Sequence, residues 1–147
     1  MDVTIFKRMI WDYTRKISEN SKSVFCPICE QHGLTMLQVR ILMELYKNKD
    51  HNIGSLADGI SIAGANISAM CKKLEKKGLV VRIRDQNDER VVKVYLAKKG
   101  QDIAAQIDQA FDEKISRYVG DELGETLEDI ITGLEKLNEL FQKMNSI

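Results

Sequence analysis

Residues 72–100 read KKLEKKGLVVRIRDQNDERVVKVYLAKKG. The opening of this run continues a helical pattern: Ile67, Met70, Cys71 and Leu74 recur at intervals of three and four. Ala65–Lys77 is therefore read as an amphipathic helix with that stripe buried. Gly78 follows where a helix ends in a left-handed residue. The period then changes. Leu79, Val80, Val81 and Ile83 form one short strand, and Val91, Val92, Val94 and Leu96 form another. The segment RDQNDER, Arg84 to Arg90, joins them as a charged hairpin tip.

Upstream, Ile53–Gly59 is a short helix with Leu56 and Ala57 turned inward, and Ser61 to Gly64 is a tight turn. A short helix, a turn, a longer helix and a two-stranded hairpin make a winged helix-turn-helix, whose second helix enters the major groove of DNA. Thr35 caps a preceding helix, with Gln38 completing a capping box and Leu37, Ile41, Leu42 and Leu45 as its apolar positions. Ile5, Phe6, Met9, Ile10, Tyr13 and Ile17 mark a first helix over residues 4–20. Ser21 to Gly33, with Ser, Pro and Gly, reads as a loop. After Lys98 the helical period returns through Ile103, Ile107, Ala110, Phe111, Ile115 and Tyr118. A last helix carries Leu127, Ile130, Ile131, Leu134, Leu137, Leu140, Phe141 and Met144.

The fold class is mainly α with a small β-hairpin wing. The 147 residues form one chain, with 34–97 as the DNA-binding part. Residues 1–33 and 98–147 supply dimerisation helices, because their apolar stripes exceed what one small winged domain covers.

Net charge is zero, yet its distribution is uneven. Residues 1–63 hold 8 basic and 7 acidic side chains, residues 64–100 hold 10 against 4, and residues 101–147 hold 4 against 11. A basic middle and an acidic tail suit a patch that faces phosphate with the far end turned away. No apolar run approaches the roughly 18 residues of a membrane span. The first residues carry Asp2, Lys7 and Arg8 rather than a signal peptide, so the expectation is a cytoplasmic protein without membrane contact.

The chain resembles the MarR (multiple antibiotic resistance regulator) family of bacterial and archaeal repressors. The resemblance is carried by Lys72–Gly100 and by Leu34-Thr35-Met36-Leu37-Gln38, which is similar to the family's L-T-x-x-Q. Ala97 stands where the family's L-T-x-x-G has threonine. The family's wing reads roughly D-x-R-D-x-R, whereas this chain has Asp85-Gln86-Asn87-Asp88-Glu89-Arg90, so Asn87 replaces the first arginine. The resemblance implies a homodimer of six-helix, winged protomers that represses genes by covering a pseudo-palindrome. It implies that Arg90 reaches the minor groove, where potential is most negative, with Asp88 holding its guanidinium.

On the recognition helix, Asn66 and Ser68 are candidates for base edges or phosphates, and Ala65 and Ala69 permit close approach to a thymine methyl. Lys72, Lys73 and Lys76 are phosphate candidates, as is Arg84 at the base of the wing. The implied effector is a small molecule, a redox change or a metal, acting near the junction of the dimer and DNA-binding parts. Trp11, Tyr13, Ile17 and Phe25 are candidate pocket residues there and equally candidate dimer-core residues.

Cys26-Pro27-Ile28-Cys29-Glu30-Gln31-His32 admits three readings. Cys26 and Cys29 suit a redox pair; Cys26, Cys29 and His32 suit a metal site; or the thiols are inert. Zinc-sensing relatives use histidines and glutamates on the second and fifth helices, and Val39 and Arg40 stand near two such positions. Cys71 reads as a small core residue. Two alternatives belong to other classes: a thiol-disulfide oxidoreductase using Cys26 and Cys29, and an interaction dimer that does not bind DNA. No strand precedes Cys26, against the first, and the basic wing argues against the second. The expectation is a protein that is not an enzyme and requires no cofactor.

Overall fold

A computed structural model describes residues 1–120 and 124–146. The element order is α1 (Val3–Gln31), α2 (Met36–Lys47), β1 (His51–Asn52), α3 (Ile53–Gly59), α4 (Gly64–Lys76), β2 (Val80–Arg84), β3 (Val92–Leu96), α5 (Lys98–Ser116) and α6 (Gly124–Asn145). The chain divides into two compact units, Met1–Phe111 and Asp112–Ile147.

In the first unit, α2, α3, α4 and the start of α5 enclose a core of Ile41, Leu42, Leu45, Leu56, Ile67, Leu74 and Ile107, all fully buried. Burying such aliphatic side chains contributes roughly 1.5–3 kcal/mol each before chain entropy is charged against it. The capping box is present as read: Thr35 Oγ1 accepts from the Gln38 N–H, and Gln38 accepts from the Thr35 N–H. Asn52 and Ser55 form a second capping box that starts α3. Gly78, at φ +76°, reverses the chain after α4, and the adjoining Leu79 N–H closes on the Leu74 carbonyl.

The wing strands lie within one residue of their expected places, and they belong to a three-stranded antiparallel sheet in the order β1-β3-β2. The third strand, β1, pairs His51 with Val94 and Asn52 with Lys93, which roots the wing beside the start of α3.

One expectation needs correction. Ser21 to Gly33 is not a loop; α1 runs unbroken from Val3 to Gln31 with Pro27 inside it. The reason is packing. Val24, Phe25, Ile28 and Cys29 fall on one helical face; Ile28 and Cys29 enter the core, and Phe25 meets Phe111 edge-on at 5.0 Å. Those contacts outweigh one proline's lost hydrogen bond, of order 3 kcal/mol. His32 then caps the helix, and Gly33 turns at φ +67° into α2.

The other faces of α1 stay open: Ile5, Phe6, Met9, Trp11, Tyr13 and Ile17 are exposed, Trp11 by 77%. In the second unit, α6 buries no residue, and Leu127, Ile130, Ile131, Leu134, Leu140 and Met144 are exposed.

Candidate nucleic-acid interface

Helix α4 presents Ala65, Asn66, Ala69, Lys72, Lys73 and Lys76 to solvent, while Ile67, Cys71 and Leu74 fix its opposite face in the core. Exposed residues 65, 69, 72 and 76 share one side of the helix by their spacing. Ser68 is half-buried and lines an open cleft of about 390 Å³ with Arg90, Val91 and Val92 of the wing and Asn52, Ile53 and Gly54 at the start of α3. The fold thus brings Ser68 and Arg90, distant in sequence, to one concavity.

The wing tip is ordered by its own hydrogen bonds. Asp85 Oδ1 accepts from the N–H groups of Asn87 and Asp88, at 2.7 and 3.2 Å. Arg84 Nη1 donates to the Glu89 carbonyl at 3.0 Å, so this residue braces the hairpin as well as lying exposed at its base. Arg90 Nε donates to Asp88 Oδ1 at 3.1 Å, and the Arg90 backbone N–H donates to the same oxygen at 3.0 Å. The arginine side chain remains 90% exposed. Hydrogen bonds from Arg90 hold the Asp88 carboxyl below the usual carboxylate range, so it stays ionised and orients the guanidinium outward.

Two positioning contacts escaped sequence reasoning. Arg82 Nη2 donates to Glu75 Oε1 at 3.0 Å and the Arg82 N–H faces Glu75 Oε2 at 3.3 Å, tying the last turn of α4 to the first wing strand. The arginine's hydrogen bond keeps the Glu75 carboxyl low. Arg40 Nη2 donates to the Ile60 carbonyl at 3.0 Å, at the start of the turn between α3 and α4. The only trace of the first in the sequence is a Glu and an Arg flanking Gly78; the second has none.

The cysteines lie on helices. Cys29 is buried, and its Sγ–H points at Met36 Sδ, 3.3 Å away. Burial, with neighbouring Cys26 adding to it, raises its pKa. Burial pushes the Cys71 thiol up to about 11. Among the described residues no three His, Cys, Asp or Glu side chains gather as a metal would require, so Cys26, Cys29 and His32 are not brought together as a ligand set. A thiolate fraction of about one in ten thousand at neutral pH makes Cys71 a poor nucleophile. A thiol reagent at neutral pH is therefore expected to label half-buried Cys26 quickly, and Cys29 and Cys71 only after unfolding. Mass mapping of the labelled peptides checks this; fast labelling of Cys71 would contradict the buried geometry.

The profile of the family described as transcriptional regulator SarA/Rot matches residues 23–107. The HTH-type transcriptional regulator FarR of Neisseria gonorrhoeae is 31% identical over 118 residues, covering 78% of this chain and 81% of that one. The chain belongs to the SarA/Rot family of transcriptional regulators. It is a DNA-binding regulator of transcription. Among solved structures, NadR in complex with 4-hydroxyphenylacetate is 30% identical, with a TM-score of 0.68 over 85% of this chain and 91% of that one. A MarR family protein from Bacillus stearothermophilus shares the fold at 22% identity, with a TM-score of 0.72 over 99% of this chain and 100% of that one. This regulator also has, among its described residues, no helix long and apolar enough to cross a membrane.

Proposed function

We propose that the regulator works as a homodimer that represses transcription by covering a pseudo-palindromic duplex, in the cytoplasm, with α4 of each protomer in a major groove and each wing in the adjoining minor groove. The observation that carries this reading is the Asp88–Arg90 pair at the wing tip, which aims an exposed arginine beside Ser68 of α4. Asn66, Ser68, Ala65 and Ala69 face base edges; Lys72, Lys73, Lys76 and Arg84 neutralise phosphates and set register. Asn87 leaves the tip with a single anchoring arginine.

Effector response is part of the proposal: a ligand or thiol change near the end of α1 alters the spacing of the two recognition helices. NadR's complex with a small aromatic acid supports a small molecule in that role. The reading requires no cofactor and no catalysis. Cys26 and Cys29 on an unbroken helix, rather than after a strand, favour it over thiol-disulfide exchange.

The test is binding to duplexes selected from a random-sequence library. Arg90→Ala is expected to weaken affinity and lower the salt slope by about one. Unchanged affinity and slope would overturn the wing's role.

A further inference from the structure

Three elements meet at the buried ring of His51, which is 7% exposed. Its Nε2 lies 3.2 Å from Glu44 Oε1 on α2, and its Nδ1 lies 3.0 Å from Ser55 Oγ on α3. The residue itself is in β1, paired with Val94 of wing strand β3. Ser55 Oγ already serves the start of α3: it accepts from the Asn52 N–H at 3.0 Å and lies 3.2 Å from the Asn52 carbonyl. At the far end of α3, Arg40 of α2 donates to the Ile60 carbonyl. Helix α2 therefore grips the first helix of the helix-turn-helix at both ends, and one grip passes through an imidazole.

Counting hydrogens shows what this grip needs. A neutral ring carries one N–H. If that N–H faces Glu44, Nδ1 must take the Ser55 hydroxyl hydrogen, and the Asn52 carbonyl loses it. If the N–H faces Ser55 instead, the Nε2 lone pair meets a carboxylate oxygen. A ring with both protons donates to Glu44 and to Ser55, frees the hydroxyl hydrogen for Asn52 and makes the Glu44 contact an ion pair. With Glu44 ionised, all the short contacts are met together only in that form.

We propose that Glu44, His51 and Ser55 form a proton-sensitive joint: protonation of His51 seats α3 on α2 and thereby strengthens the grip of α4 on DNA. The DNA step rests on the reading given under Proposed function. Glu44 is the charged group contacting the ring from α2; Ser55 of α3 is neutral, and Val94 of β3 is apolar. Lys93, one register place away, has its amine 4.0 Å from Asp85 Oδ2. His51 is a positioning residue here, since it touches helices rather than DNA. Histidine is the side chain whose charge changes nearest neutral pH, and the chain holds only one other, His32, at the C-cap of α1.

The experiment measures affinity for the selected duplex at constant ionic strength as pH falls from about 8 to about 5.5. One hydrogen bond gained predicts a rise of roughly threefold to tenfold. His51→Gln should flatten the profile at the wild-type alkaline level, while His32→Gln keeps the wild-type response. Glu44→Gln, which retains an acceptor but removes the ion pair, should reduce the response if His51→Gln folds poorly. In parallel, NMR follows the ring of His51 and the backbone amides of Asn52, Ser55 and α4 through the same titration. A pH response that persists in His51→Gln, or α3 and α4 amides that stay fixed as the ring titrates, would overturn the joint. A chain that binds no duplex at any pH would instead defeat the DNA reading, and the NMR arm would still decide the joint.

Discussion

Gly100→Ala is expected to lower the unfolding free energy by about 3 kcal/mol or more, placing it among the severe single substitutions. A Cβ at Gly100 would collide with the carbonyl oxygen of Leu79 and sit 2.8 Å from its carbon. Those are backbone atoms of a residue that is itself buried, so no flexible side chain can swing aside. The same carbonyl accepts from the Ala97 N–H at 3.0 Å, the hydrogen bond that seats the start of α5 against the segment just after α4. Relief of the clash must break that bond or push α5 away from the core that holds Ala104 and Ile107. Thermal denaturation should show a midpoint lower by about 10 °C or more. Gly64→Ala, at the start of α4 with no atom within 4 Å of a new Cβ, is the control and should shift stability by less than about 1 kcal/mol. A Gly100→Ala protein as stable as the control would refute the close approach.

Ile131→Asp should convert a dimer to a monomer and reduce affinity for a two-half-site duplex by about a hundredfold or more. Helix α6 has no buried residue, yet it carries Ile130 and Ile131 at 51% and 55% exposure, with Leu127, Leu134, Leu140 and Met144 along its length. A row of this size needs a cover, and a second copy of the chain is the cover proposed above. When two reading heads are joined, the second binds at high effective concentration, which multiplies avidity by roughly a hundredfold to ten-thousandfold. A carboxylate in the middle of the row places an unpaired charge in the contact. Sedimentation and duplex titration on the same samples decide the matter. A wild-type monomer, or an Ile131→Asp dimer with undiminished affinity, would sink the proposal.

What could be read in advance was what local chemistry controls. The Thr35–Gln38 capping box, the left-handed Gly78 and the switch from helical to alternating periodicity at Leu79 all work through neighbours in sequence, and all are present. The run from Ser21 to Gly33 misled because serines and Pro27 signal a break, while the apolar face of Val24, Phe25, Ile28 and Cys29 that holds the helix together depends on partners such as Phe111, far along the chain. The two-residue β1 is too short for any periodicity and exists because β3 pairs with it. At the candidate interface, Asp88 and Arg90 were legible as a pair because they stand two positions apart in the sequence. Arg82 with Glu75, Arg40 with the Ile60 carbonyl and His51 with Glu44 were not, since each joins different elements and appears only once the backbone has brought them together.

The wing tip differs from the rest of the reading surface in owing little to it. Asp85 holds Asn87 and Asp88, Asp88 holds Arg90 and the Val91 N–H, Val91 returns to Asp85, and Arg84 closes on Glu89. Nearly every bond that shapes residues 84–91 begins and ends inside them. Such a tip is a cassette. Selection can exchange its lettering, with asparagine already at position 87, and so retune the duplex contact proposed for the wing while the helices beneath it keep their packing.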